Sequence, residues 1–106
     1  MLPADERVKL IDFGGATHNN ERHSSIINTR QYRSPEVILQ CCQWQESSDV
    51  WSIGCIIPEL YTGNLLFPTH DDVEHILMII KNAREKLPSW MPKRCKNDLA
   101  NIFKDG

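Results

Sequence analysis

One stretch of the chain, SSDVWSIGCIIPELYTG, constrains the fold more than any other. Its apolar residues recur mostly three or four positions apart, which predicts an α-helix, and they are Val50, Ile53, Ile56, Ile57, Leu60 and Tyr61. They cover most of the helix circumference, so we expect this helix to lie inside a hydrophobic core. We predict that it spans Asp49 to Thr62, capped by Ser48 or Asp49 and ended by Gly63. Pro58 lacks a backbone donor and predicts a bend in the last turn.

Two further helices and one helical turn are predicted from local signals. Ser34 can cap a short helix that begins at Pro35 and ends around Gln40, because proline is tolerated at the first helical position. The segment DDVEHILMIIKNAREKL predicts an amphipathic helix, and its apolar stripe comprises Val73, Ile76, Leu77, Ile80, Ala83 and Leu87. A short turn of helix is expected at Asp98 to Phe103.

The chain before these helices is predicted to be extended and polar. Val8 to Ile11 predicts a short strand that is stopped by Gly14 and Gly15. The segment THNNERHSSIINTRQYR, from Thr17 to Arg33, has no sustained period and predicts one long loop. The predicted fold class is therefore mainly α, with a short N-terminal strand and about three helices.

The charge balance argues against two classes of partner. The 106 residues include 12 basic and 14 acidic side chains, a net charge of -2, which gives no electrostatic case for direct nucleic-acid or anionic-membrane binding. No apolar run approaches the roughly 18 to 20 residues that span a bilayer, and the N-terminus lacks the apolar core of a secretory signal. We expect a soluble intracellular protein whose cysteines and histidines form no metal site, because neither residue type has the required spacing.

Chemistry is indicated by three short motifs in order: DFG, then SPE within TRQYRSPEVIL, then DVWSIGCI. The DFG tripeptide alone is weak evidence, because three common residues occur in that order by chance and then form a simple turn. Three landmarks in order are far more specific.

These motifs give the chain a resemblance to the activation segment and following helices of eukaryotic protein kinases, and the resemblance covers nearly the whole chain. TRQYRSPEVIL and DVWSIGCIIPELYTG resemble the cyclin-dependent-kinase-like group. FPTHDDVEHILMI is similar to the segment that names the LAMMER, or Cdc-like, family of dual-specificity kinases. Where that family has Glu-His-Leu-Ala-Met-Met-Glu-Arg, this chain matches at Glu74, His75 and Met78 and differs at the other positions.

The resemblance implies a metal-binding turn at the DFG motif. In a kinase the Asp12 carboxylate binds Mg²⁺ bridging the ATP phosphates, Phe13 packs beneath it and sets active or inactive geometry, and Gly14 allows a sharp turn. Without the resemblance, Asp12 is simply a turn residue.

The resemblance also implies roles in the loop that receives the substrate peptide. Thr29 is expected to contact groups of the catalytic loop, and Arg33 to organise the segment; otherwise both belong to a solvated polar loop. Ser24, Ser25 and Tyr32 are hydroxyls of the same segment, where a phosphate could pair with arginine and order the loop. Each individual serine is taken as unmodified.

The remaining family positions are structural. The loop ends at Ser34, Pro35 and Glu36, and Glu36 is expected to pair with a buried arginine from a late helix beyond Gly106. Asp49 is expected to cap the central helix and to hold the backbone of the catalytic loop. The predicted core and structural positions of the large lobe are Trp51, Ile53, Gly54, Ile56 and Ile57.

Several groups of a working kinase do not occur in these 106 residues: a Gly-rich loop, a strand lysine with its partner glutamate, and a His-Arg-Asp loop. We therefore expect residues 1–106 to be a partial kinase domain, a large-lobe fragment that is inactive and loosely packed when alone. The resemblance implies that full-length relatives use ATP and Mg²⁺ to phosphorylate Ser, Thr and Tyr of proteins. It further implies Ser/Arg-rich splicing factors as substrates and a location in nucleus and cytoplasm.

Two alternatives stay open at this point. The chain could be a catalytically dead interaction or decoy module whose helices bind a kinase or its substrate, or a truncated remnant without function. An upstream reading frame that encodes His-Arg-Asp would distinguish an incomplete sequence from both.

Overall fold

A computed structural model of the chain describes residues 4–83, 86–96 and 98–103. The described residues form four α-helices: α1 at Pro35–Leu39, α2 at Ser47–Thr62, α3 at Asp72–Asn82 and α4 at Trp90–Lys93. They also form three 3-10 turns, at Phe13–Gly15, Arg30–Tyr32 and Asp98–Phe103. The mainly helical class is confirmed, and so is the helical turn at the last of these positions.

Helix α1 begins and ends where local signals place it. Pro35 occupies its first turn, and Gln40 ends it in the left-handed region with φ 52°. Ser34 occupies the N-cap position as predicted, but its side chain makes no capping hydrogen bond. Its hydroxyl instead lies 3.0 Å from the Ser48 hydroxyl in a buried contact. The Ser34 side chain thus contacts a residue of α2 instead of a backbone N–H of α1.

Helix α2 ends as predicted but begins earlier. Gly63 has φ 77°, and its N–H donates to the Glu59 carbonyl at 2.7 Å. Ser48 and Asp49 lie inside the first turn, so the prediction that one of them is the N-cap is wrong. The helix continues through Pro58.

The prediction that α2 is buried all round is also wrong in the described structure. Only one stripe of the helix, which includes Ser48, Trp51 and Cys55, faces the other described elements. The opposite face is uncovered because no described element packs against it, and its exposed apolar residues are Val50, Ile53, Ile56, Ile57, Leu60 and Tyr61.

Helix α3 is amphipathic, but its buried face is rotated from the predicted stripe. Its fully buried side chains are His75, Ile76 and Ile79, whereas Val73 is 40% exposed and Leu77 50%. The helix ends at Asn82, with Ala83 extended, so it is shorter than predicted. An apolar pattern does not include a histidine, although the structure buries His75 together with Ile76 and Ile79. Residues 84 and 85 of the predicted helix lie outside the described residues.

The predicted strand at Val8 to Ile11 does not form. A strand needs a neighbour for its backbone N–H and C=O groups, and no other strand occurs among residues 4–83, 86–96 and 98–103. Val8, Leu10 and Ile11 are instead at least 77% exposed. In the same described ranges, no helix is long and apolar enough to cross a bilayer.

The core lies where α1 packs against α3 and α4. Its buried members are Ile38, Leu39, Cys41, Cys55, Phe67, Ile76, Ile79 and Leu99. Trp51 and Tyr32 are half-buried against this cluster. Through Tyr32, the core reaches directly into the loop that precedes α1.

Two isoleucines of different burial test this description of the core. Ile76 is 0% exposed and Ile57 is 62% exposed. We expect Ile76→Ala to lower the free energy of unfolding by about 2–5 kcal/mol, because it leaves a cavity. Ile57→Ala should change it by only about 0.5 kcal/mol. Urea unfolding followed by circular dichroism measures both values, and equal losses would contradict the exposure of the α2 face.

Candidate functional site

The DFG turn is exposed and lies apart from the core. Asp12 has φ 64° and ψ 67° and precedes the 3-10 turn Phe13–Gly15, which is closed by the Ala16 N–H donating to the Phe13 carbonyl at 3.0 Å. The expected sharp turn is therefore made by Asp12 and not by Gly14, whose φ is outside the left-handed region. Phe13 is 66% exposed, so in the described structure it does not pack beneath the carboxylate as expected.

Arg33 forms hydrogen bonds to backbone carbonyls within its own loop, the one that precedes α1. Its Nε donates to the Ile27 carbonyl at 2.9 Å, and one terminal nitrogen donates to the Asn28 carbonyl at 3.0 Å. Partial burial lowers the pKa of the guanidinium, which stays charged and donates only. Asn28 takes a left-handed φ of 67° and donates its side-chain amide to the Ser52 hydroxyl at 3.0 Å. The two residues fix the path of the chain into the turn Arg30–Tyr32.

Tyr32 joins this turn to α2. Its hydroxyl donates to the two carboxylate oxygens of Glu59, at 2.6 and 2.9 Å. The hydrogen bond to Glu59 raises the pKa of the Tyr32 hydroxyl, because ionised tyrosine could no longer donate to a carboxylate. The Ser52 hydroxyl donates to the Tyr32 carbonyl at 2.8 Å. Side chain and backbone of one residue are thus held by the same helix.

A buried polar network follows at the start of α1. The Ser48 hydroxyl donates to Glu36 Oε1 at 3.0 Å and also contacts the Ser34 hydroxyl, and both serines are 1% exposed. Buried hydroxyls need such partners. The arginine expected for Glu36 is not among the described residues, so that role stays a prediction. Pro35 is buried beside the network.

A second contact holds the loop further upstream. The rings of His23 and Trp44 stack with centroids 4.5 Å apart, and Trp44 Nε1 donates to the Ser24 carbonyl at 2.7 Å. The Ser24 hydroxyl donates to the Ile26 carbonyl at 2.9 Å, while Ser25 is exposed. We call the His23, Ser24 and Trp44 contacts the tryptophan clamp.

The LAMMER-like residues lie on α3 in three different environments. Glu74 is exposed and donates its backbone N–H to the Asp71 carboxylate, which caps the helix. Met78 is half-buried against the core. His75 is 0% exposed, and within the described structure neither ring nitrogen has a hydrogen-bond partner. Burial is the main cause that lowers the pKa of His75, and the nearby Arg30 adds to it.

The structure does not bring every predicted site residue together. Within the part of the chain that it describes, no hydrogen bond or ion pair joins Asp12 to the loop, and Thr29 and Asp49 are exposed. Gly54 is exposed, and a Cβ added there would meet no atom within 4 Å. The roles given to these residues stay predictions. No group of three His, Cys, Asp or Glu that could hold a metal occurs in the described residues.

Sequence reasoning missed most of the residues that hold the loop. They lie on α2, on α3 and in the segments that precede these two helices, and they are Trp44, Ser48, Ser52, Glu59, Thr69 and Asp72. Their partners are 12 or more positions away in sequence. No local pattern marks such residues, so only the folded chain reveals them.

Comparison with known proteins identifies relatives over nearly the whole chain. Residues 1–105 match the protein kinase domain family. Serine/threonine-protein kinase AFC3 of Arabidopsis thaliana is 46% identical over 105 residues, which are 99% of this chain and 26% of that protein. Dual specificity protein kinase CLK2 of Homo sapiens is 56% identical over 89 residues, which are 84% of this chain and 17% of that protein.

A solved structure agrees with these relatives. The crystal structure of a kinase domain matches with a TM-score of 0.78 and 49% identity, covering 88% of this chain and 27% of the other. Dual specificity protein kinase lkh1 of Schizosaccharomyces pombe is 55% identical over 70% of this chain and 11% of that protein. The chain thus spans only about a quarter or less of the length of the curated relatives it matches.

The Tyr32–Glu59 contact can be tested by titration. We expect Glu59→Gln to move the pKa of Tyr32 back down toward about 10, because the carboxylate that raises it is gone. Absorbance near 295 nm follows tyrosine ionisation. Tyr61, the other tyrosine, is 92% exposed and serves as the internal control. An unchanged upper titration step in the variant would contradict the contact.

Burial of neutral His75 predicts a dependence of stability on pH. Its pKa is lowered in the folded state, so the unfolded chain binds the proton more tightly, and stability should fall as the pH drops below about 6.5. We expect the stability of His75→Leu to change little between pH 7.5 and 5.5, because the group that causes the decrease is gone. Urea midpoints measure it, and exposed His70→Leu is the matched control. Equal acid sensitivity of His75→Leu and the unsubstituted chain would refute the assignment.

Proposed function

The chain belongs to the protein kinase family, with LAMMER-type dual-specificity kinases as relatives, and we propose that it contributes the metal-binding turn and the substrate-receiving loop of a phosphotransferase. The enzyme transfers the γ-phosphate of ATP to Ser, Thr and Tyr hydroxyls of proteins. One observation carries the proposal: the loop from Thr29 to Glu36 is fixed on α2 through Tyr32 and Ser48. A loop held in this way can present a fixed surface to a peptide.

Asp12 fits the role of a magnesium ligand. Its carboxylate is exposed on a short turn, and Mg²⁺ in phosphoryl-transfer sites is held by one or two carboxylates together with phosphate oxygens and waters. Bound Mg²⁺ would neutralise charge on the phosphates. The left-handed backbone of Asp12 sets the direction of its side chain.

The loop residues position the substrate and take no part in bond breaking. Arg33 fixes the backbone before the turn and Tyr32 fixes the end of the turn, which leaves the exposed Thr29 at its entrance. Thr29 is proposed to contact catalytic-loop groups there. The loop is proposed to contribute by holding the peptide, while the charge stabilisation that drives phosphoryl transfer comes from other groups.

The substrate class and location are proposed from the LAMMER relationship. We infer Ser/Arg-rich splicing factors as the protein substrates and the nucleus, with the cytoplasm, as the place of action. The charge of the chain supports no direct nucleic-acid partner. Substrate profiling with Ser/Arg-rich peptides against acidic peptides of equal length tests the first inference.

Phosphotransfer assays test the role of Asp12. We expect the 106-residue chain alone to show no transfer, because it offers one carboxylate of the several groups that hold ATP. In an active kinase domain that carries this chain, Asp12→Ala should lower kcat by at least about 100-fold, and Asp5→Ala should leave it unchanged. Transfer by the isolated chain that Asp12→Ala abolishes would contradict the first expectation. A wild-type rate for Asp12→Ala in the longer domain would contradict the second.

A further inference from the structure

The turn Arg30–Tyr32 is attached to α3 as well as to α2. The Arg30 guanidinium forms an ion pair with the Asp72 carboxylate, and the residues are 42 positions apart in sequence. The neighbouring Gln31 donates its side-chain amide to the Thr69 carbonyl at 3.1 Å. Two consecutive residues of the loop thus contact the first residue of α3 and the segment directly before it.

The segment around the start of α3 that receives these contacts is held by hydrogen bonds and by burial. Thr69 is 2% exposed, and its hydroxyl donates to the Asp71 carbonyl at 3.1 Å and accepts from the Asp71 N–H at 3.3 Å. The Asp71 carboxylate caps the helix through the Glu74 N–H. One turn into the helix, His75 and Ile76 are both 0% exposed. The loop is therefore tied to a part of α3 that is fixed in the core.

The Arg30–Asp72 pair differs from an ordinary surface pair of this chain. Asp5 and Arg7 also pair, but they are two positions apart and their side chains are 50% and 90% exposed. Arg30 and Asp72 are 33% and 42% exposed. Asp72 is also the first residue of α3, where the positive end of the helix dipole stabilises its negative charge. A local exposed pair holds nothing in place, whereas this pair joins two separate elements.

We propose that Arg30 and Asp72 are positioning residues: their ion pair fixes the substrate-receiving turn against α3 and so sets the geometry in which a peptide is accepted. The role in accepting a substrate peptide rests on the function proposed above. The anchoring itself is a property of the chain and can be measured without catalysis. A pair of this exposure is expected to be modest in strength and sensitive to salt.

Amide hydrogen exchange of the full 106-residue chain measures the anchoring. The N–H groups of Tyr32 and Arg33 close the turn by donating to Thr29 and Arg30 carbonyls at 2.9 and 3.1 Å, so their exchange reports its opening. We expect Arg30→Gln and Asp72→Asn each to speed this exchange about two- to fivefold at low salt. The double variant should be no faster than either single one, because both remove the same contact.

The controls separate anchoring from general loosening. Asp5→Asn removes the local pair and should leave the Tyr32 and Arg33 amides unchanged, and the Ala83 amide at the end of α3 should be unchanged in every variant. About 1 M salt should bring the unsubstituted chain close to the single variants. Additive effects of the two substitutions, unchanged exchange, or no protection of these amides in the unsubstituted chain would each overturn the proposal.

Kinetics connect the anchoring to substrate acceptance. In an active kinase domain that carries this chain, either single substitution should raise KM for a peptide about two- to fivefold and leave kcat and KM for ATP unchanged. A fall in kcat with unchanged peptide KM would overturn the positioning role. If a longer kinase domain that carries this chain shows no transfer even without a substitution, the proposed function fails, while the exchange result still decides whether the ion pair anchors the turn.

Discussion

The packing of α1 against α3 is the contact on which the other parts of the described structure depend. Leu39 and Ile76, one from each helix, are both 0% exposed, and burial of such a side chain contributes about 1.5–3 kcal/mol. The Leu39 carbonyl also accepts a hydrogen bond from the Lys96 N–H at 3.4 Å, which ties the later chain to the same point. Helix α1 directly follows the loop and α3 begins beside it, so this core fixes both ends of the site.

Helix ends could be predicted from the sequence better than helix surroundings. Gly63 and Pro35 act through their own backbone, so their positions hold whatever packs nearby. The environment of Ile53 depends on which elements reach α2, and periodicity contains no such information. The strand at Val8 to Ile11 failed for a related reason, since a strand is defined by its neighbour. Local signals therefore predicted where elements stop, and distant contacts decided what they bury.

The candidate site shows the same division. The order of the DFG, SPE and DVW motifs identified the family, which the comparisons confirm. The contacts that hold the loop could not be predicted, because Tyr32 with Glu59 and Arg30 with Asp72 are paired only by the fold. Even the hydroxyl of Ser34, a residue whose position before a proline suggested a cap, is hydrogen-bonded to the Ser48 hydroxyl. A hydroxyl with two possible partners is assigned by geometry, which sequence spacing does not provide.

The tryptophan clamp has a consequence for how the loop is ordered. Its hydrogen bond joins residues 20 positions apart, and closing a chain segment of that length costs roughly 2–3 kcal/mol of entropy. The stacked rings and the hydrogen bond each contribute about 0.5–1.5 kcal/mol, so gain and cost nearly cancel. Once Arg33 and Tyr32 have fixed the turn Arg30–Tyr32, less of the chain between Ser24 and Trp44 remains to be ordered. The free energy of forming the tryptophan clamp then becomes favourable. We therefore expect the segment around His23 and Ser24 to dock on Trp44 only once the turn Arg30–Tyr32 is in place.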